Sequence, residues 1–191
     1  TAFGAPHAGI LDLGRYPSGT DETAETIASA LRKAGFASAV DPEIMESKYG
    51  KLMQNLANII EAALLPGDHS AIVKVARDEA EAVYKVAGIV WRDVGDNDPR
   101  RQELMQSKPI PGADRVGSST AQSLVRHTGS IETDYLNGEI VLLGRLNDVP
   151  TPVNVYFSAL AQRMIGEKLK PRSVSPAEVE REIAIAALAQ E

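Results

Sequence analysis

The rhythm of polar and apolar positions changes near residue 41. Before it, "AGILDLG" (residues 8–14) alternates as a strand does, and "RYPSGTD" behind it carries turn chemistry. "ETAETIASALRKAGF" (22–36) then repeats at helical spacing, with Ile27, Leu31 and Ala34 on one side and Gly35 as the stop. "ASAV" (37–40) follows as a short strand. A strand, helix, strand order with short links is a piece of α/β architecture, too small to be a domain by itself.

From Asp41 onward the pattern is helical almost throughout. "DPEIMESKYGKLMQNLANIIEAALL" (41–65) predicts one long helix, capped by Asp41, with Pro42 at its first position and "PGD" ending it. Further helices are expected over 69–88, stopped at Gly88, and over 97–107, before a loop rich in Pro and Gly. Two more, over 118–127 and 130–147, separate near Thr128 and Gly129. The last two run over 151–170, with Thr151 as cap before Pro152, and 175–191, with a capping box of Ser175 and Glu178. Gly138 and Gly144 each cost a helix about 1 kcal/mol relative to alanine, which points to close packing at those positions. The chain therefore reads as mainly α, an all-helical domain preceded by a short α/β segment, with the boundary at Val40 to Pro42.

Within the 41–65 helix, residues advance by about 100°, so Lys51, Asn55 and Asn58 fall within roughly 60° of arc. Leu52, Leu56, Ile59, Ile60 and Ala63 share a different, core-facing stripe. For an arbitrary protein the polar stripe would simply face water. The sharper alternative is a cleft wall that handles a small polar substrate.

Composition narrows the classes. At 191 residues and 43% hydrophobic content the chain can bury a core, and no segment is long and apolar enough to span a bilayer. A net charge of −6 argues against a nucleic-acid binder. The basic residues are scattered, and the one tight pair, in "PRRQ" (99–102), reads as a solvated loop or helix start. His7, His69 and His127 stand in no metal-ligand spacing, so no metal site is expected. Cysteine is absent, which excludes thiol chemistry and fits a reducing cytoplasm. No G-x-G-x-x-G occurs, so the phosphate-binding turn of a dinucleotide domain is expected upstream of Thr1.

Two segments together resemble the ketopantoate reductase (2-dehydropantoate 2-reductase) family: the 41–65 segment, and "SSTAQSLVRHTGSIETDYLNGEIVLLGRLNDVPTPVN" (118–154), whose "ETDYLNG", Gly144 and "VPTPVN" are the more specific part. The resemblance implies a helical domain of the 6-phosphogluconate dehydrogenase C-terminal-like type over residues 42–191. It makes residues 1–41 the tail of a Rossmann-type NADP-binding domain. It implies reduction of a 2-oxo acid by NADPH, most simply 2-dehydropantoate to pantoate in coenzyme A precursor synthesis. It carries the catalytic lysine onto Lys51 and an active-site glutamate onto Glu132. Asn55 and Ser119 become substrate contacts, and Asn58 extends the same stripe.

The chemistry of those residue types agrees. Hydride arriving at a ketone carbon leaves charge on the oxygen, and an ammonium can both stabilise that charge and give a proton. Asn55 can bond the substrate and keep Lys51 oriented. Glu132 is expected in the first turn of its helix, where the dipole favours a carboxylate; it could hold a substrate hydroxyl or pair with Lys51. Ser118 or Ser119 reads equally as a helix cap. Asn154, in "TPVN", reads first as part of a helix start and second as a site residue.

Several positions depart from the family pattern. Asn58 follows Asn55 by three residues where some members have four, and Tyr49-Gly50 stands where tryptophan is common. Ser123 replaces a frequent aspartate, Thr133 replaces an aliphatic, and the Ser119 to Glu132 interval is one residue longer. These leave the substrate open, so another oxo acid is one alternative. A non-catalytic helical module for homodimerisation or partner binding is the other.

Overall fold

The computed structural model describes residues 2–95, 97–109, 119–126 and 132–188. Ser118, His127, Thr128 and Gly129, and residues 110–117, where the sequence predicts a loop, lie outside them. The fold is mainly helical, and the chain divides into two compact units. One comprises Thr1–Gln54 with Val90–Arg115, the other Asn55–Ile89 with Val116–Glu191.

In the first unit the α/β character is real but slight. Ile10 bridges Ala37 and Leu13 bridges Val40, both in parallel, on either side of α1 (Glu22–Lys33). The Leu11 N–H donates to the Ala37 carbonyl at 2.9 Å and the Asp41 N–H to the Leu13 carbonyl at 2.7 Å. The expected strands are thus paired segments held by isolated bridges. Helix α1 starts where Asp21 accepts from the Ala24 N–H at 2.8 Å, and the chain leaves it through Gly35 at φ +89°. Its buried residues are Ala24 and Ala28, while Ile27 is 45% exposed. Periodicity defines an apolar arc, but which edge of it is covered depends on the neighbours that the fold supplies.

A second pairing was not expected from the sequence. β1 (Ala2–Pro6) runs antiparallel to β2 (Met105–Pro109), with Ala2 opposite Pro109 and Pro6 opposite Met105. The helix expected over 97–107 consequently stops early, as α5 (Pro99–Leu104), because Met105 turns extended to join β1. Helix α2 (Ile44–Asn55) is crossed by a segment without regular structure at Trp91 to Val94. Gly50 permits the crossing, since a Cβ there would overlap the Arg92 carbonyl oxygen.

The second unit contains α3 (Ala57–Ala63), α4 (Ser70–Ala87), α6 (Ser119–Arg126), α7 (Asn137–Leu146), α8 (Pro152–Gly166) and α9 (Pro176–Leu188). Its core joins Ile59, Ile60 and Leu64 to Phe157, Leu160 and Met164 of α8 and Val179 of α9. Burial of such side chains contributes roughly 1.5–3 kcal/mol each and is what holds these helices together. Gly88, at φ +68°, stops α4 as its position predicts.

Two expected helices are divided. The 41–65 helix is divided at Leu56 into α2 and α3, although Leu56 keeps right-handed angles (φ −57°, ψ −29°) and is fully buried. The 130–147 helix is a short 3₁₀ turn over Glu132–Tyr135, then α7. Leu136, at φ −114° and ψ −90°, separates them, and both Thr133 and Asn137 are buried. Gly144 meets a close approach: a Cβ would stand 2.7 Å from the Val149 carbonyl and 2.9 Å from a Thr151 methyl. Among the described residues no helix is long and apolar enough to cross a membrane.

Candidate functional site

A cleft of about 510 Å³ opens in the first unit, and Lys51 lines it. Helix α2 presents Lys48 and Lys51, the crossing segment adds Arg92 and Asp93, and the start of α5 adds Arg100 and Arg101. α5 forms there because Asp98 caps it, accepting from the Arg100 N–H at 2.9 Å, with Pro99 in its first turn.

Local pairing sorts these charges. Arg100 clamps Asp12 through two bonds, at 2.7 and 3.1 Å, and that partner raises its already high proton affinity. Arg92 pairs with Asp41 at 2.8 Å, lies 3.3 Å from Glu46, and donates to the Glu43 carbonyl at 2.8 Å. Asp93 accepts from the Gly95 N–H at 2.6 Å and from Asn97 at 3.1 Å. Lys51 donates to the Gln54 Oε1 at 3.2 Å, a neutral partner. Although Lys51 is exposed, neighbouring atoms remove enough water to lower its proton affinity, and the Arg101 charge lowers it further.

The remaining predicted residues belong to the second unit. Asn55 ends α2 and Asn58 sits in α3, both half-buried. Ser119 opens α6, which packs against α3; the Ser119 side chain is outside the described part. Glu132 is exposed and begins the 3₁₀ turn. That corrects the expectation of a first-turn position on an α-helix, because α7 starts only at Asn137.

Asn154 is also reassigned. It is fully buried, donates to the Ala76 carbonyl at 2.9 Å and to Glu79 at 2.7 Å, and accepts from Asn137 at 3.0 Å. Glu79 itself caps α8, taking the Val153 and Asn154 N–H groups at 2.8 and 3.0 Å, whereas Thr151 makes no side-chain cap. The "ETDYLNG" and "VPTPVN" stretches of the 118–154 segment are therefore joined to each other and to α4 through a buried polar network, a structural role. Nothing local marked Glu79, which looks like any charge on the polar face of α4. Gln54 had a legible signal, since it stands three residues from Lys51 on one helix. Arg101 was read as solvated, and only the fold brings it to the cleft. Among the described residues no group of three or more His, Asp or Glu is arranged to hold a metal ion.

Comparison with known proteins adds a family. Among solved structures the chain is similar to a PanE/ApbA family ketopantoate reductase from Ralstonia eutropha JMP134, with TM-score 0.61 and 22% identity over 86% of this chain and 53% of that one. It is similar to the 2-dehydropantoate 2-reductase of Methylococcus capsulatus, with TM-score 0.64 and 23% identity over 84% and 56%. It also resembles D-mandelate dehydrogenase in a ternary structure with NADH and anilino(oxo)acetate, with TM-score 0.61 and 22% identity over 83% and 67%. At these identities the likeness is one of fold. The chain spans about half the length of the two reductases. No curated protein matches it in sequence. Residues 43–164 match the model of the ketopantoate reductase PanE/ApbA C-terminal family, and the chain belongs to that family.

Proposed function

We propose, from membership of that family, that the chain is part of an NADPH-dependent reductase of a 2-oxo acid, most simply 2-dehydropantoate, forming pantoate. The observation that carries the reading is Lys51, a lysine of lowered proton affinity in a cleft, oriented by Gln54. A general acid works best when its pKa approaches the working pH, and water removal plus a neighbouring cation move lysine that way.

The nicotinamide cofactor supplies the hydride when bound. The G-x-G-x-x-G of a phosphate-binding turn does not occur in this sequence. Lys51 holds a proton at Nζ and gives it to the ketone oxygen as that oxygen gains charge. Asn55, Asn58 and Ser119 bind the substrate's polar groups, and Glu132 accepts from a substrate hydroxyl. In this reading residues 1–41 are the tail of a nucleotide-binding domain, and 42–191 the helical domain, through which two copies pair. A cytoplasmic location fits the absence of cysteine.

A second substrate follows from the likeness in fold to D-mandelate dehydrogenase: a 2-oxo acid with a different side chain. The test is NADPH oxidation by the enzyme that carries this chain, with 2-dehydropantoate, phenylglyoxylate and pyruvate. A kcat/KM at least about tenfold higher for 2-dehydropantoate, roughly 1.4 kcal/mol, supports the first assignment. The reverse order moves the substrate, and no oxidation with any 2-oxo acid overturns the reading.

A further inference from the structure

Three arginines line the Lys51 cleft, and two of them are neutralised. Arg92 is paired with Asp41, and Arg100 with Asp12. Among the described residues Arg101 has no carboxylate within ion-pair distance, and it is half-buried. The other cleft carboxylates are engaged: Asp93 with Gly95 and Asn97, and Asp98 with the start of α5. Among the described residues three cations of this cleft therefore have no carboxylate within ion-pair distance, Lys48, Lys51 and Arg101; Arg101 is the one guanidinium of the three, and Lys51 bonds a neutral amide. Nearby like charges in a partly dry cleft repel, and an anion between them relieves that repulsion.

A 2-oxo acid carries two anionic or incipiently anionic oxygen groups on adjacent carbons, a carboxylate and the ketone oxygen that becomes an alkoxide. A guanidinium fork matches a carboxylate through two parallel bonds, whereas an ammonium is a point charge that can release a proton. We propose that Arg101 anchors the substrate carboxylate and so sets the adjacent ketone oxygen toward Lys51. This assignment rests on the reading of Lys51 as proton donor and extends it. It also adds a gate. Water removal first, and the Arg101 charge second, depress the proton affinity of Lys51. A bound carboxylate neutralises Arg101 and thereby keeps Lys51 protonated when substrate is present. A phosphate would satisfy the same cation, so the test must separate the two anions.

The experiment follows the Lys51 side chain by NMR in this chain, in the wild type, Arg101→Gln and Arg101→Lys. Oxamate, a 2-oxo acid mimic, and inorganic phosphate are titrated separately. Arg101→Gln should raise the proton affinity of Lys51 and weaken oxamate by at least about tenfold. Arg101→Lys should restore the low proton affinity of Lys51, which also shows that the cleft is folded, but recover only part of the oxamate affinity. Unchanged oxamate affinity in Arg101→Gln overturns the anchor, even with tenfold weaker phosphate, and an unchanged Lys51 titration overturns the gate. If Arg101→Gln weakens oxamate while Lys51→Arg leaves turnover intact, the anchor stands and the proton-donor reading falls. In the enzyme, Arg101→Gln should raise KM for the 2-oxo acid about tenfold and leave KM for NADPH unchanged.

Discussion

The side-chain amide of Asn137 donates to the Oδ1 of Asn154 at 3.0 Å, across seventeen residues of chain. Asn154 passes the connection to Glu79, whose two carboxylate oxygens take the first N–H groups of α8. Removing Glu79 strands those donors and a fully buried amide. Glu79→Ala should therefore cost about 2–3 kcal/mol, read as a lower urea midpoint at unchanged slope. An unchanged midpoint would show that water replaces the carboxylate without loss.

The same carboxylate gives a pH dependence. Burial raises the Glu79 proton affinity above its ordinary value of 4.5, although the bonds from Val153 and Asn154 oppose it. With the folded pKa raised, its stabilising contribution is complete below about 4.5 and is lost as pH rises through the folded value. Wild type should thus lose stability relative to Glu79→Gln as pH rises from below about 4.5 through the raised folded value. A wild-type advantage that grows with pH would contradict this.

Gly50→Ala separates propensity from packing. In an open helix the change would gain about 1 kcal/mol. Here the new methyl overlaps the Arg92 carbonyl, a backbone atom of the crossing segment. The expected result is a loss of about 1–3 kcal/mol in thermal or urea unfolding. A more stable variant would mean that the segment does not cross at Gly50.

Lys51→Arg keeps the charge but removes a usable proton, since guanidinium effectively never deprotonates. In the enzyme, kcat should fall about 100-fold with a much smaller change in KM. A kcat within about threefold of wild type, under about 0.7 kcal/mol of barrier, would remove Lys51 from the role of acid.

Glu132 is exposed at the start of a four-residue 3₁₀ turn, so its loss should leave stability within about 0.5 kcal/mol. Kinetics should respond instead. Glu132→Ala is expected to raise KM and lower kcat/KM at least about tenfold, roughly 1.4 kcal/mol. Equal kinetics would leave Glu132 as a helix-end charge.

Much of this was legible in local pattern. The helices of the second unit, the stops at Gly35 and Gly88, and the inward stripe of Leu56, Ile59, Ile60 and Ala63 follow from side-chain period and backbone freedom, which act within a few residues. Lys51 was identified by its stripe and by resemblance. The break at Leu136 was not legible, because leucine is an ordinary helix former and only its surroundings decide its angles.

What the sequence determined alone is therefore the set of helices, the apolar faces that must be covered, and the chemistry available in a cysteine-free, acidic chain. Tertiary structure decided which long-range partners meet. It paired Ala2–Pro6 with Met105–Pro109, laid Arg92 across Gly50, and made Glu79 the cap of a helix that starts over seventy residues later. It also neutralised Arg92 and Arg100, while among the described residues Arg101 has no carboxylate within ion-pair distance. The physical reason is range. Helix period and capping are local, whereas ion pairs, buried amides and close backbone approaches depend on distances that only the folded chain sets.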